Sequence, residues 1–299
     1  MLYARSSASQ KRRRLREALA GDRLLRLPGA FSPLVARLLE AQGWDGIYVS
    51  GSVVAADLGL PDIGLTSLHE VARRGGQIAR VTELPALLDV DTGFGEPMNV
   101  ARTVQEAEDA GVAGLHLEDQ ENPKRCGHLD HKSVVDQGTM LRRIQAAVEA
   151  RRDPDLLLMA RTDARAVEGL DAAIRRARAY VEAGADAIFP EALASEDEFA
   201  AFRDAVDAPL LANMTEFGKS PLLSAGTLER LGYDMVIYPV TTLRLAMAAV
   251  ERGMDELQAG DDQEALVARM QTRARLYELL DYGAYAAFDR SVFDFTLDD

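Results

Sequence analysis

The sequence predicts an α/β protein, a (β/α)₈ barrel of the TIM type with additional C-terminal helices. Eight short apolar segments alternate with longer amphipathic ones. The apolar segments are nearly continuous, which is typical of parallel strands buried on both faces. Several amphipathic segments end in a glycine just before the next apolar one, as at Gly43, Gly111 and Gly184, and glycine is the usual helix terminator. Eight strand-then-helix units in order favour a closed barrel over an open sheet.

The elements follow one another in a regular order. The first is a helical stretch, from Ser9 to Ala20, whose basic run at 11–14 is most simply a solvated helix face, with a targeting role as the minority interpretation. The predicted strands are Leu24–Leu27, Gly46–Val49, Ala86–Val90, Val112–Leu117, Leu156–Ala160, Ala187–Phe189, Pro209–Ala212 and Met235–Tyr238. Apolar residues at helical spacing occupy the segments between them.

Two further helical segments follow the eighth strand. One, from Thr241 to Gln258, carries a long apolar stripe, and a polar break at 260–262 separates it from a second helix. A finished barrel does not need that second helix, so it packs on the outside or reaches a neighbouring subunit. We therefore expect one barrel domain, 1–299, with an N-terminal helix at about 9–20 and a C-terminal helical extension at about 262–299.

Composition limits the partners. The 299-residue chain has a formal net charge of −14 and a pI of about 4.8. Repulsion between like charges therefore argues against nucleic acid and anionic membranes as partners. No apolar run approaches the roughly 18–20 residues of a membrane span. A single cysteine rules out an intrachain disulfide and fits a reducing compartment, so we expect a cytoplasmic protein.

Polar side chains follow nearly every predicted strand. Active sites of this architecture lie at the C-terminal ends of the strands. The residues at those ends are Ser50, Gly51, Ser52, Asp89, Asp91, Glu118, Arg161, Glu191, Asn213 and Thr215. A purely structural barrel has little reason to gather so many polar groups, so the pattern predicts an active site there.

Asp89 and Asp91 form the candidate metal site. Residues two apart on a strand point the same way, so the two carboxylates would lie side by side. A divalent cation relieves their repulsion, and oxygen-only ligands suit Mg²⁺, with Mn²⁺ as the alternative. An isolated Asp-x-Asp would more simply cap a loop. The additional Glu118 at the next strand end favours the metal.

The polar stretch 120–138 is a candidate catalytic loop, because uninterrupted loops of this length are usually lids or binding loops. It contains the only cysteine, Cys126, directly after Lys124 and Arg125. Cationic neighbours in a polar loop predict an exposed thiol of lowered pKa, able to act as nucleophile or acid–base group. A zinc site of Cys126, His128 and His131 is less favoured, because structural zinc sites use two ordered ligand pairs.

Three arginines could clamp carboxylates through paired hydrogen bonds: Arg161, Arg244 and Arg273. Taken singly, each is more simply a surface or salt-bridge arginine. Together with a cation, amides and a thiol, they suit a small polyanionic substrate. The metal would stabilise negative charge on an α-oxyacid, and the thiol would add or remove a proton at carbon. This combination indicates cleavage of a carbon–carbon bond, or the reverse condensation.

Longer motifs make a family resemblance specific. The motifs are Lys124-Arg125-Cys126-Gly127-His128, Asp89-Val90-Asp91-Thr92-Gly93-Phe94-Gly95, Leu60-Pro61-Asp62, His116-Leu117-Glu118-Asp119-Gln120, Met159-Ala160-Arg161-Thr162-Asp163 and Asn213-Met214-Thr215-Glu216-Phe217. Over nearly the whole chain they resemble the isocitrate lyase and phosphoenolpyruvate mutase superfamily, and within it the 2-methylisocitrate lyase branch. The cysteine loop is the specific motif, whereas Asp-x-Asp alone is not.

The resemblance implies cleavage of 2-methylisocitrate to pyruvate and succinate, in propionate catabolism, or of a related acid such as isocitrate. Asp89 and Asp91 would hold Mg²⁺, with Asp62 and Glu118 in its outer shell, and Cys126 would protonate the succinate carbanion. The implied catalytic set is Cys126, Lys124, His128, Glu118 and Tyr48. The implied substrate-binding set is Ser50, Gly51, Ser52, Gly127, Arg161, Glu191, Asn213, Thr215, Arg244 and Arg273. Family members are usually tetramers that exchange C-terminal helices, so a homotetramer is expected.

Two positions depart from the family's usual pattern. Ser52 stands where the family often has Gly or Ala, and His131 replaces a usual small residue in the cysteine loop. Neither change removes a catalytic group. Phe189, where isocitrate lyases usually have tryptophan, is expected to leave room for the substrate's additional methyl group.

Overall fold

A computed structural model describes residues 4–129, 131–260 and 262–294. Its eight strands each lie within a residue or two of a predicted segment. They are β1 (Leu25–Pro28), β2 (Ile47–Val49), β3 (Ala86–Asp89), β4 (Gly114–Glu118), β5 (Leu157–Thr162), β6 (Ala187–Pro190), β7 (Leu211–Asn213) and β8 (Met235–Tyr238).

The strands close into a parallel barrel. One run pairs β2 to β6 in sequence order, and the other pairs β7, β8 and β1. Single parallel bridges join the two runs, between Gly29 and Tyr48 on one side and between Ile188 and Leu210 on the other. Every strand therefore has a neighbour on both sides, and the predicted (β/α)₈ barrel is confirmed.

Helices surround the barrel and connect its strands. Those of the barrel are α1 (Ala8–Leu19), α2 (Pro33–Ala41), α3 (Gly51–Asp57), α4 (Leu68–Ala79), α5 (Pro97–Asp109), α6 (Gln137–Ala150), α7 (Ala164–Glu168), α8 (Leu170–Glu182), α9 (Glu196–Ala205) and α10 (Ala225–Arg230). The C-terminal region adds α11 (Thr241–Ala259), α12 (Glu264–Val267), α13 (Arg273–Leu279) and α14 (Tyr282–Phe293). Side-chain caps fix several starts; Ser67 and Glu70, for example, form a reciprocal capping box at α4.

The apolar core has two layers. Residues such as Leu27, Leu87 and Met159 fill the barrel interior, whereas their strand neighbours Leu88 and Leu158 pack against the surrounding helices. Successive strand residues face opposite sides, so burial on both sides makes the strands continuously apolar. The filled interior leaves the strand ends as the place for polar chemistry.

Helix α1 covers the N-terminal end of the barrel, and here the expected solvated basic run is half confirmed, since Arg13 and Arg14 are exposed. Lys11 and Arg12 are buried rather than solvated. Lys11 donates to the carbonyls of Ala79 and Thr82, both at 2.6 Å, and Arg12 donates to the carbonyls of Val112 and Glu108 at the same end of the barrel. The two basic side chains satisfy backbone carbonyls at the end of the barrel. This requirement depends on the tertiary structure, so the composition of the helix does not reveal it.

The C-terminal extension also differs from expectation. The first helix, α11, matches its predicted span, but the second is divided into α12, α13 and α14. Asp281, with φ of 56°, separates α13 from α14 in a left-handed conformation. Asp261 of the predicted polar break, and residues 1–3 and 295–299 of the predicted domain, lie outside the described residues. In the described part of the chain, no helix combines the length and apolarity needed to cross a bilayer.

Candidate active site

Most of the predicted residues meet in a small cavity at the C-terminal end of the barrel. Its volume is about 50 Å³. Its lining comprises Tyr48, Ser50, Ser52, Asp62, Asp89, Lys124, Cys126, Gly127, His128, Arg161, Glu191, Asn213, Thr215, Pro239 and Val240. Residues from seven different strand ends or loops thus share one cavity.

Asp89 and Asp91 approach each other beside Gly51. The Gly51 N–H donates to Asp89 Oδ2 at 3.0 Å, and the Asp91 N–H donates to Asp89 Oδ1 at 3.1 Å. A Cβ on Gly51 would lie 3.0 Å from Asp91 Oδ1 and 3.1 Å from Asp89 Oδ2. The absent side chain therefore leaves room for both carboxylates. Asp91 adopts a left-handed backbone with φ of 49°, an uncommon conformation that functional sites often contain.

Lys124 supplies a positive charge to this acidic pair. Its ammonium lies 2.7 Å from Asp91 Oδ1 and also contacts Asp62. Burial alone would lower the pKa of Lys124, but these carboxylates hold that pKa well above its usual range. Burial raises the pKa of Asp91 to about 6, Lys124 opposes that rise, and the nearby Asp89 adds to it. The pair therefore needs a cation, and in this arrangement Lys124 provides one.

The donor set fits Mg²⁺ that keeps several waters. Two buried carboxylates offer oxygen ligands only. Among residues 4–129, 131–260 and 262–294, no group of three His, Cys, Asp or Glu side chains converges closely enough to hold an ion. Water and substrate oxygens would therefore have to complete the coordination. The zinc alternative gains no support, because His131 is exposed whereas Cys126 lines the cavity.

Arg161 is the centre of a buried ionic network. Its guanidinium contacts Glu118 Oε2 at 3.2 Å, Asp163 Oδ2 at 2.9 Å and Glu191 Oε2 at 3.2 Å. Burial alone would raise the pKa of Glu191, but Arg161 and then His128 hold it well below its usual range. For Glu118, burial dominates and raises the pKa well above the usual value. One oxygen of Glu118 has no hydrogen-bond partner among the described residues.

His128 links the cysteine loop to two other strand ends. Its Nε2 lies 2.8 Å from Glu191 Oε1, and its Nδ1 accepts a hydrogen bond from the Lys219 N–H at 2.9 Å. Because Nδ1 accepts, the hydrogen of the neutral imidazole resides on Nε2, which donates to Glu191. Asn213 also donates to Glu191, at 3.3 Å. His128 thus fixes the loop against β6 and the loop after β7.

Cys126 lies in the cavity, but its expected acidity was wrong. Burial raises the pKa of the Cys126 thiol. The adjacent cations do not offset this, since Lys124 pairs with carboxylates and Arg125 donates to the carbonyls of Pro123 and Lys124. The thiol therefore remains protonated near neutral pH. It is suited to donating a proton rather than to nucleophilic attack.

Gly127 brings the loop into direct contact with the ionic network. A Cβ at this position would lie 2.3 Å from Arg161 Nη2 and 2.5 Å from Glu191 Cγ. Only a residue without a side chain allows this approach. The loop residue beside Cys126 therefore rests on the arginine that is predicted to hold substrate.

Some predicted residues are not brought to the cavity. Arg244 is half exposed, lies 3.6 Å from Glu216 and stacks on the exposed Phe217 ring. Arg273 begins α13 and is exposed. Phe189 is fully buried, and its ring lies 5.1 Å from the guanidinium carbon of Arg161. Phe189 does not line the cavity, so the size of its ring can affect the cavity only by changing the position of Arg161.

Several contributors were missed from the sequence. His116 packs against Tyr48, with Nε2 2.8 Å from the Tyr48 hydroxyl, and burial lowers its pKa to about 4. Lys132 is buried beside Asp163. Only four lysines occur in the chain, and two of them lie in the cysteine loop. This concentration could have indicated that Lys132 contributes to the site. The inward position of His116 on β4 was another.

Comparison with known proteins agrees with this geometry. The phosphoenolpyruvate phosphomutase family model matches residues 15–258. The chain is 62% identical over 287 residues to a probable 2-methylisocitrate lyase 1 of Corynebacterium glutamicum, covering 96% of this chain and 94% of that one. It is 46% identical over 272 residues to the 2-methylisocitrate lyase of Escherichia coli, covering 90% and 92% of the two chains.

Solved structures give the same assignment. Oxaloacetate acetylhydrolase with the inhibitor 3,3-difluorooxalacetate superposes with a TM-score of 0.90 at 34% identity, covering 98% of this chain and all of that one. Phosphonopyruvate hydrolase with oxalate and Mg²⁺ gives 0.86 at 30% identity, covering 94% and 98%. With the closed barrel, the cysteine loop and the paired aspartates on the same end, the chain belongs to the phosphoenolpyruvate phosphomutase family.

Proposed function

We propose that this enzyme is a carbon–carbon lyase that cleaves 2-methylisocitrate to pyruvate and succinate. The observation that carries the proposal is the shared cavity, which a protonated Cys126 thiol lines together with Asp89 and the cationic Arg161. The relatives named 2-methylisocitrate lyase support this substrate, since they match over nearly the full chain.

Asp89 and Asp91 would hold Mg²⁺, with Mn²⁺ as the alternative and Asp62 and Glu118 outside the direct ligands. Bound Mg²⁺ supplies electrostatic stabilisation of negative charge on substrate oxygens. Lys124 now balances Asp91 and Asp62, so metal binding has to compete with that ion pair. The competition predicts that Lys124 changes partners when the metal is bound.

The chain's own residues account for the proton that the reaction requires. A base of the site takes the substrate hydroxyl proton and later releases it to solvent. The oxygen then forms the keto carbonyl of pyruvate as the carbon–carbon bond breaks, and the electron pair of that bond stays on the succinate half. Cys126 donates its S–H proton to that carbon, and the resulting thiolate regains a proton before the next turnover. Arg161, Asn213, Thr215 and the serines at 50 and 52 would bind the substrate carboxylates.

The cavity is too small for this substrate as it stands. About 50 Å³ is far below the roughly 300–1,000 Å³ of ordinary ligand pockets. Entry of a tricarboxylate therefore requires the loop 120–138 to move away from Arg161 and Glu191. The same residues that seal the cavity would then exclude water during cleavage.

We also propose that the enzyme works in the cytoplasm as a homotetramer whose subunits exchange C-terminal helices. The exposed apolar side chains of that region support the assembly. They include Met247, Val250, Met254, Val267, Met270, Phe288 and Val292. Neither nucleic acid nor membrane is a proposed partner.

Product analysis tests the substrate assignment. Purified enzyme with Mg²⁺ is given 2-methylisocitrate, isocitrate, 2,3-dimethylmalate or oxaloacetate separately, and products are identified by mass spectrometry. We expect pyruvate and succinate from 2-methylisocitrate at the highest kcat/KM. A kcat/KM that is higher for any of the other acids would reject 2-methylisocitrate as the substrate. Because a methyl group contributes only about 1–3 kcal/mol to discrimination, slow turnover of isocitrate is compatible with the proposal.

A further inference from the structure

Lys132 is a buried cation that the mechanism above does not use. It lies in the cysteine loop, six residues after Cys126, and its side chain is 2% exposed. Its ammonium donates to the Gly127 carbonyl at 2.5 Å and to Asp163 Oδ1 at 2.6 Å. Burying an ammonium is costly unless its donors are satisfied, so a specific arrangement must compensate for it.

The two acceptors join different parts of the molecule. Gly127 belongs to the loop and directly follows Cys126, whereas Asp163 directly follows β5 of the barrel. Asp163 is itself fixed, since its N–H donates to Asp119 Oδ1 at 2.8 Å. Lys132 therefore ties the backbone beside the thiol to a fixed point of the barrel.

The same aspartate orients the substrate-binding arginine. Asp163 accepts from Arg161 Nε at 2.9 Å and from Arg161 Nη2 at 3.2 Å, a paired interaction that sets the plane of the guanidinium. Gly127 rests directly on that guanidinium. The Asp163 carboxylate thus accepts hydrogen bonds both from Lys132 of the loop and from Arg161.

We propose that Lys132 is a positioning residue that holds Cys126 in the closed loop and couples loop closure to the orientation of Arg161. This role rests on the proposed lyase function and deepens it. Lys132 donates to protein groups on both sides, so it does not transfer the proton itself. The loop opens when the Lys132 contacts to Gly127 and Asp163 separate.

The test compares Lys132→Met with Lys11→Met. Lys11 is an equally suitable buried lysine, with two carbonyl acceptors, at the opposite end of the barrel. We expect both variants to lower Tm. Only Lys132→Met should lower kcat, by roughly 10- to 100-fold with little change in KM, because a small misplacement of a catalytic group has that effect.

Alkylation of the single cysteine gives a second readout without substrate. At pH 8.5, iodoacetamide should modify Cys126 roughly fivefold or more faster in Lys132→Met than in wild type, because the loop opens more often. Lys11→Met should react as wild type does. If the wild-type enzyme cleaves none of the acids, the proposed function fails while this comparison still decides the role of Lys132.

Chemical rescue separates positioning from simple stability. In Lys132→Ala, added ethylammonium should restore part of kcat and slow the alkylation, because it can donate to both acceptors. If Lys132→Ala does not fold, Lys132→Gln, which keeps an amide donor, replaces it and should fall between wild type and Lys132→Met. The proposal is overturned if Lys132→Met behaves as Lys11→Met does in kcat and alkylation, or if ethylammonium has no effect on a folded Lys132→Ala.

Discussion

Cys126 shows how position changes the chemistry of a side chain. Its sequence neighbours are cations, yet burial governs the thiol and raises its pKa. A raised pKa disfavours the thiolate, which is the nucleophilic form, and keeps a proton available for transfer. The structure thus favours the acid among the roles that the sequence left open.

Replacing that proton donor gives the first prediction. Cys126→Ser should lower kcat for 2-methylisocitrate by roughly 10²- to 10⁴-fold, the usual contribution of a positioned acid, because a serine hydroxyl is a far weaker acid. Steady-state kinetics measure the loss. Tm and Mg²⁺ affinity serve as controls and should stay at wild-type values. Turnover close to that of wild type would remove Cys126 from the proton-donor role.

Gly127 provides a steric prediction at the same scale. In Gly127→Ala the new methyl group would overlap Arg161 and Glu191, so the loop cannot close fully and kcat should fall about 100-fold. Gly226→Ala on α10 is the matched control, because a Cβ there would have no heavy atom nearer than 3.9 Å. That change should be neutral or add about 0.5–1 kcal/mol of stability. Equal kcat values for the two variants would contradict the close approach.

At the scale of elements, sequence patterns located the strands because they are local. Each strand is an apolar run followed by polar residues, so the ends that carry Asp89, Glu118 and Asn213 could be placed without the fold. The burial of Arg12 could not be predicted, since its carbonyl acceptors at Val112 and Glu108 lie about 100 residues away in the chain. Sequence patterns predict the secondary structure of the segment that contains a residue. Whether the side chain is buried depends on tertiary contacts, which these patterns do not show.

Helix α1 gives a prediction about acid stability. Asp153 accepts hydrogen bonds from Arg12, at 2.8 Å, and from Ser9. Burial alone would raise the pKa of Asp153, but these bonds lower it to about 2. A folded pKa below the unfolded value, about 3.9, stabilises the protein above pH 4, and that contribution disappears as pH falls toward 2.

The measurement is urea unfolding of Asp153→Asn. At pH 7 the variant should lose about 1–2 kcal/mol of unfolding free energy relative to wild type, and the difference should shrink as pH is lowered from 4 toward 2. Asp22→Asn, at an exposed aspartate after α1, should show little change at either pH. A deficit that is constant with pH would mean that the carboxylate charge is not the stabilising feature.

The limits of sequence reasoning are clearest in the C-terminal region. Apolar spacing predicted helices there, but the left-handed conformation that separates α13 from α14 falls on Asp281 and not on a glycine. The apolar stripe of α11 was nevertheless visible, and Met247, Val250 and Met254 are about half exposed in the single chain. The pattern was therefore predictable, and the partner that we propose for it is a second copy of the chain.

For the whole molecule, the exposed apolar side chains of the C-terminal helices predict self-association. Large exposed apolar patches mark interaction surfaces, and the chain's charge of −14 must be overcome when copies meet. We expect the wild type to sediment as a tetramer, four times the 32.6 kDa chain. Increasing salt should favour assembly, because it screens the repulsion between acidic subunits.

The double variant Val250→Asp, Met254→Asp tests this surface. Two carboxylates on the stripe make its burial costly, so sedimentation velocity should show dissociation to smaller species while circular dichroism retains the helical signal. Asp255→Lys, a charge change beside the stripe, serves as the control and should remain tetrameric. If the double variant sediments as the wild type does, the stripe of α11 is not the interface. If it dissociates yet keeps full kcat, each barrel is a complete catalytic unit, and the proposed contact between subunits serves assembly alone.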